Sequence, residues 1–411
     1  MSGEGRTRLT SWKEIATYLR REVRTVIRWE KERGLPVHRV PGGQGRSVFA
    51  FTDELDRWAA GAAAEPAARP DRRWLRPLAV SGTIVTLAAL AAAMVAAWPR
   101  ADVARLEITR DGLTALSASS RPLWWFRFPR ENAYYLRRQT AIADLTGDGH
   151  PDALASTDLI VEPDAEPAAT LFAIDGRGRT LWSTSPSDTL TFGAGAFTAP
   201  WQPDDLGTFS ARGAPRIAWT LHHYTWWPSL LAVFAPDGTR TGTFVNAGWL
   251  RGTRSSPDGR VLFAYGFSNS RDAAAFALLD ADNPTGSSPE DAGSPYACRS
   301  CPEGRPLRYV TVQWTDVAAA PRPGDRDATV TFSTTGTIEL RAMQRATVEA
   351  IVDLSPALEI VRASFSDNYW EWHRRLETDG TLKHSRAACP FREGPIVREW
   401  TPQRGWRAVS P

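Results

Sequence analysis

The sequence predicts a multidomain protein built from a small α+β unit, one transmembrane α-helix and a large all-β domain, either a β-propeller or a β-sandwich. Three observations carry this prediction. An uncharged run, Leu78 to Trp98 (LAVSGTIVTLAALAAAMVAAW), divides the chain. The segment before it has capped, helix-periodic stretches. The segment after it, about 300 residues, reads mostly as strands cut by D-G, N-P and P-D-G turns. The domains expected are 1–60 for the small unit, 61–76 for an Ala/Pro/Arg linker, 77–98 for the span and 99–411 for the β-rich domain.

The composition is that of a folded chain, with 42% hydrophobic and 23% charged residues in 411 and no disorder signature. The net charge of +3 is unevenly placed. Residues 1–76 hold 16 Lys+Arg against 10 Asp+Glu, or +6, and the remainder is −3. A basic head on a slightly acidic body points to the head as the part that meets an anionic polymer. Three cysteines, Cys298, Cys301 and Cys389, are too few for a disulfide-built fold.

The run Leu78–Trp98 has the length that a bilayer core demands of a helix, about 20 residues. Trp74 and Trp98 bracket it as interfacial aromatics do. A signal peptide would sit at the extreme N-terminus. Arg69, Arg72, Arg73 and Arg76 precede the run and Arg100, Arg105 and Arg110 follow it, so the positive-inside rule only slightly favours a cytoplasmic N-terminus. The expected location is the bacterial inner membrane, single-pass, with the β-rich domain outside the cytoplasm.

In the head, Ser11-Trp12-Lys13-Glu14 has the form of a capping box, which predicts a helix from Trp12. Ile15, Ala16 and Leu19 give it an apolar face. A second helix is predicted over Val23–Arg33, stopped by Gly34. Arg24, Arg28 and Lys31 share one of its faces. A hairpin with a Gly-rich tip (Val37–Phe51) and a third helix from Asp53 complete the unit. Two short helices joined by a tight turn are the pattern of a helix-turn-helix.

These residues resemble the excisionase and MerR-like winged helix-turn-helix family. The matching positions are Thr25-Val26-x-Arg28-Trp29, Leu35-Pro36, Arg39, the Gly-rich turn, Arg46 and Leu55-x-Arg57-Trp58. The resemblance implies double-stranded DNA as partner, with base contacts from Arg24, Thr25 and Arg28 and phosphate contacts from Lys31, Arg39 and Arg46. A homodimer is expected, because one small head buries too little DNA for tight specific binding.

In the β-rich domain, Asp144, Thr146, Asp148 and Asp152, with the carbonyl of His150, stand at the spacing that a hard cation such as Ca²⁺ wants. The loop lacks the distal Glu of an EF-hand. It looks like the Asp-rich loop of FG-GAP or VCBS repeats of integrin-type propellers, with Thr146 where Asp or Asn is commoner. Strand pairs are predicted for Ala153–Thr157 with Thr170–Ile174, Arg216–Trp219 with Leu230–Phe234, Val261–Phe263 with Ala275–Asp280, and Leu358–Val361 with Arg375–Glu377. Residues 282–295 read as a long flexible loop.

No catalytic constellation stands out, so the chain is not expected to be an enzyme. His222-His223, Tyr224 and Trp226-Trp227 could line a groove but also fit ordinary packing, as does Asn368–His373. Cys298-x-x-Cys301 is expected to form a local disulfide. Cys389 and His384 could enter a zinc site, although structural zinc usually shows two tight ligand pairs. The function expected from the whole is a membrane-anchored one-component transcriptional regulator with an outer domain that binds an unknown ligand or protein. The alternatives are an envelope interaction or adhesion protein whose head docks another protein and, more remotely, a periplasmic enzyme.

Overall fold

The computed structural model describes residues 6–39, 48–62, 101–133, 139–162, 164–319, 326–334 and 336–409. It divides into two compact units, Met1–Pro99 and Arg100–Pro411.

In the first unit α1 (Trp12–Tyr18) starts where its cap dictates. Ser11 Oγ accepts from Glu14 N at 3.2 Å, and the Glu14 carboxylate reaches back to Thr10 N at 2.7 Å. Both bonds satisfy amides that a helix start or its approach would leave bare. The second helix, α2 (Val23–Arg33), ends at Gly34, whose φ of 63° permits the left-handed turn that returns its N–H to Trp29 O. Strand Val48–Phe51 pairs with His38–Arg39 on one side and Arg8–Leu9 on the other, and α3 (Thr52–Ala62) follows it. Ile15, Ala16, Val26, Leu35, Val48, Ala50 and Leu55 are buried together as its core.

The second unit is a succession of antiparallel sheets. The first holds Arg105–Ile108, Gly112–Leu116 and Pro122–Arg127. The second holds Thr140–Ala143, Asp152–Leu159, Ala168–Ile174 and Thr180–Thr184. The third holds Trp201–Ala211, Ala214–His223, Ser229–Phe234 and Arg240–Asn246. The fourth begins with Leu250–Ser255, Val261–Ser268, Ala273–Asp280 and Arg308–Gln313. The fifth holds Asp327–Phe332, Ile338–Arg345, Val348–Leu354 and Ile360–Phe365. Each sheet packs on the next through shared apolar clusters, so burial runs continuously along the series. Strands covered on both faces lose the polar alternation of a half-exposed sheet, and Asp152–Leu159 and Ser229–Phe234 are buried throughout.

Two tryptophans tie neighbouring sheets together across glycine turns. Trp124 of the first sheet donates to Gly176 O at 3.1 Å and lies against Gly178 in the turn of the second. Trp182 of the second sheet repeats this on the third, donating to Pro236 O at 2.8 Å and lying against Gly238. Both glycines have φ near +85° (85° and 86°), and a Cβ on either would meet an indole at 3.0 or 2.9 Å. Only glycine meets both demands without strain.

The chain order is broken twice. Between Ala273–Asp280 and Arg308–Gln313 the short strand Gly286–Ser287 goes back to the third sheet, beside Phe244–Val245, before the chain rejoins the fourth. After Arg308–Gln313 it leaves the fourth sheet, builds α4 (Asp316–Ala319), the fifth sheet and α5 (Tyr369–Thr378), and returns as Val397–Thr401 beside the strand it left. Gln313 N donates to Ile396 O at 3.0 Å, which closes the neck of this excursion. A final strand, Gly405–Val409, completes the fourth sheet.

Several expectations are corrected here. No helix among the described residues is long and apolar enough to cross a membrane, and the run Leu78–Trp98 lies outside them. What the described residues form is mostly strand with short helices, so the composite with a transmembrane helix, the single-pass topology and the inner-membrane location find no support among them. Arg375–Glu377 is not a strand. It lies in α5, where Tyr369, His373 and Leu376 recur at helical spacing and bury one face. Residues 282–295 are not a loose loop: Gly286–Ser287 pairs in parallel with Phe244–Val245 and is buried.

Candidate metal centre

The excursion brings four ligating side chains to one point. Asp316, His373, His384 and Cys389 each offer an atom, and all four atoms lie within 4.8 Å of one another. Asp316 Oδ2 is 2.7 Å from His384 Nε2, 3.6 Å from His373 Nε2 and 3.3 Å from Cys389 Sγ, and the two imidazole nitrogens are 3.4 Å apart.

Local structure places each group. Asp316 opens α4, just after the outgoing strand. His373 sits one turn beyond Tyr369 on the buried face of α5 and is 1% exposed. Leu382 N caps α5 by donating to Leu376 O at 2.8 Å, and this directs the chain through His384 to Cys389. Cys389, 2% exposed, ends the short 3₁₀ turn Arg386–Ala388. The side facing solvent belongs to His384 and Asp316, whose side chains are 29% and 13% exposed.

The aspartate is held for its task. Its Oδ1 accepts from Val317 N at 2.8 Å and from the Tyr369 hydroxyl at 3.1 Å, which leaves Oδ2 as the oxygen turned to the cluster. Burial pushes the Cys389 thiol up to about 11, and the Asp316 carboxylate beside it acts in the same direction. Burial likewise raises the Tyr369 phenol, with Asp316 again contributing, so the hydroxyl keeps its proton and donates. A cation at the centre would reverse the balance for the thiol, since a metal-bound thiol is deprotonated outright.

Two imidazoles, one thiol and one carboxylate are the donor set of Zn²⁺, which takes N, S and O ligands at about 2.0–2.3 Å in a tetrahedron. Softer and harder ions fit less well. Ca²⁺ and Mg²⁺ take all-oxygen shells, and Cu(I) is chosen by sulfur-rich ones.

The structure treats the residues singled out in the sequence differently. Arg24, Arg28 and Lys31 are exposed along α2, and Thr25 is half-buried beside them. Arg28 faces Glu32 at 3.9 Å, and Arg39 is engaged by Glu30 at 2.9 Å. Arg46 lies outside the described residues. In the Asp-rich loop, the Asp144 oxygens accept from Gly147 N and Gly149 N, and Asp148 Oδ1 accepts from His150 N. That amide bond holds the Asp148 carboxyl below its usual range. Asp152, 2% exposed, accepts from Leu145 N, Thr146 N and Gly176 N. Thr146 and His150 are exposed, and His150 Nδ1 lies 2.8 Å from Asp102. Each of these carboxylates organises a backbone turn. Cys298 and Cys301 form a disulfide with a Cα–Cα distance of 5.7 Å.

The expectation that the chain is no enzyme rests on the lack of any constellation of chemistry-bearing residues, and the Asp316 cluster removes that ground. Such a set can anchor a fold or polarise a substrate. Half of it was visible in sequence as His384 and Cys389. His373 lay in a stretch that read as packing. Asp316, 57 positions before His373, carried no signal of its own.

No family model matches the chain, and no curated protein matches it. Solved structures with a similar trace include a chimera titled ACO/RPE65, with TM-score 0.28 and 10% identity over 79% of this chain and 82% of that one. Two mutants of Synechocystis apocarotenoid oxygenase match at TM-scores 0.28 and 0.27, each 10% identical and covering 79% of this chain and 85% of theirs. Likeness this low carries no argument about fold or chemistry. The anchored-regulator reading is corrected as far as the described residues reach, since none of their helices is long and apolar enough to cross a membrane.

Proposed function

We propose that the second unit is a zinc-dependent protein whose ion, held by Asp316, His373, His384 and Cys389, clasps the excursion of the fifth sheet shut. The convergence of two imidazoles, a thiol and a carboxylate within 4.8 Å carries this reading. Four protein ligands close a tetrahedron and leave no open position, the arrangement of a structural zinc site. Asp316 follows the outgoing strand and Cys389 precedes the returning one, so the ion ties the two ends of the excursion to α5. Pinning points far apart in sequence restricts the unfolded chain most when the loop closed is long.

The test is zinc binding by the full chain, measured by competition with a chromophoric chelator. One ion per chain is expected. Cys389→Ser and His384→Ala should each weaken binding by at least about 100-fold, since each deletes a ligand on which assembly of the site depends. Affinity unchanged in both variants would overturn the reading.

A further inference from the structure

We infer that Tyr369 is the positioning residue that sets the metal preference of this centre, by holding Asp316 to one free oxygen; the inference rests on the zinc reading above. A carboxylate can bind an ion through one oxygen or both. Bidentate carboxylates and expanded shells suit Ca²⁺ and Mn²⁺, whereas a four-coordinate site needs one oxygen from each carboxylate. Asp316 Oδ1 is taken on two sides, by Val317 N at 2.8 Å and the Tyr369 hydroxyl at 3.1 Å. Only the Tyr369 bond comes from a side chain remote in sequence, 53 positions away.

The ring that delivers this hydroxyl is fixed. Tyr369 is 0% exposed and stacks on Phe365 with centroids 3.7 Å apart and planes 6° from parallel. Trp370 closes on both rings edge-on, at 4.9 Å from Tyr369 and 6.4 Å from Phe365. Arg386 lies over Trp370 at 4.3 Å and holds that indole from outside. Tyr369 also stands one turn before His373 on the same buried face of α5, so one helix supplies a ligand and the group that orients another. Groups that hydrogen-bond a metal ligand fix its orientation, and their loss typically costs about 10–100-fold in affinity.

Tyr369→Phe removes the hydroxyl and keeps the ring in its stack. The full-length variant is compared with the unaltered chain by titration with Zn²⁺ and Mn²⁺ and by melting in the metal-free state. Zinc affinity is expected to fall about 10–100-fold. Mn²⁺ affinity should hold or rise, so the zinc-over-manganese ratio narrows, while the metal-free melting temperatures coincide. Equal loss for both ions, or an unchanged ratio, would overturn the inference. A lower metal-free melting temperature with an unchanged ratio would assign Tyr369 a packing role only. If the unaltered chain binds no zinc, the reading of the centre falls first. If it binds zinc and Tyr369→Phe binds it equally well, only the present inference falls.

Discussion

Stripping the ion from the full chain with a strong chelator is expected to loosen α5 and residues 382–391 while the sheets stay folded. The ion's contribution follows from mass action. With free Zn²⁺ a thousandfold above the dissociation constant, the bound state gains about 4 kcal/mol. The effect is regional because the fifth sheet keeps its own apolar cluster, with Ala328, Val330, Leu340, Ala342, Ala350 and Val352 buried against the fourth. What the chelator removes is the clasp on α5 and on the segment from Leu382 to Phe391. Amide exchange should therefore accelerate most over Tyr369–Thr378 and around Cys389, and return to its first rate when zinc is restored. Exchange that accelerates evenly over the whole unit, or not at all, would contradict a local clasp.

Glu399→Gln is expected to destabilise the second unit by about 3 kcal/mol, within the range for breaking a buried ion pair by removal of one partner. Glu399 is 0% exposed and is paired with both Arg308 and Arg407. Arg308 lies on the neighbouring strand and also reaches Glu359 at 2.9 Å, in the turn before the last strand of the fifth sheet. Losing the central carboxylate leaves the Arg308 guanidinium, whose side chain is 11% exposed, with Glu359 alone. That remaining partner holds the cost near the lower end of the range. Chemical denaturation followed by tryptophan fluorescence would measure it. A change below about 0.5 kcal/mol, the level of an ordinary surface substitution, would show that the pair contributes little.

Much of the strand pattern is legible because local chemistry and final packing agree. Ala153 faces Ile174, Ile217 faces Phe234 and Val261 faces Asp280, in runs where apolar residues flank D-G or P-D-G turns. The Ser11 cap is legible for the same reason: its bonds join residues no more than four positions apart. The helix α5 was not, since its start at Asn368 makes no side-chain cap and its aromatic residues suggest a strand. Its helical spacing of buried residues was the available signal. The centre was half legible. His384 and Cys389 are near neighbours, but Asp316 and His373 join them only because the chain leaves the fourth sheet and comes back to it. No local pattern encodes that return.

Cobalt substitution tests the central claim most directly, because tetrahedral Co²⁺ reports both geometry and ligand type in one absorption spectrum. Loaded into the full chain, Co²⁺ is expected to give intense visible bands of a four-coordinate site and a near-ultraviolet thiolate-to-cobalt band. Added zinc should abolish both, and Cys389→Ser should remove the thiolate band. A weak spectrum of six-coordinate cobalt, unchanged in Cys389→Ser, would contradict a centre built from Asp316, His373, His384 and Cys389.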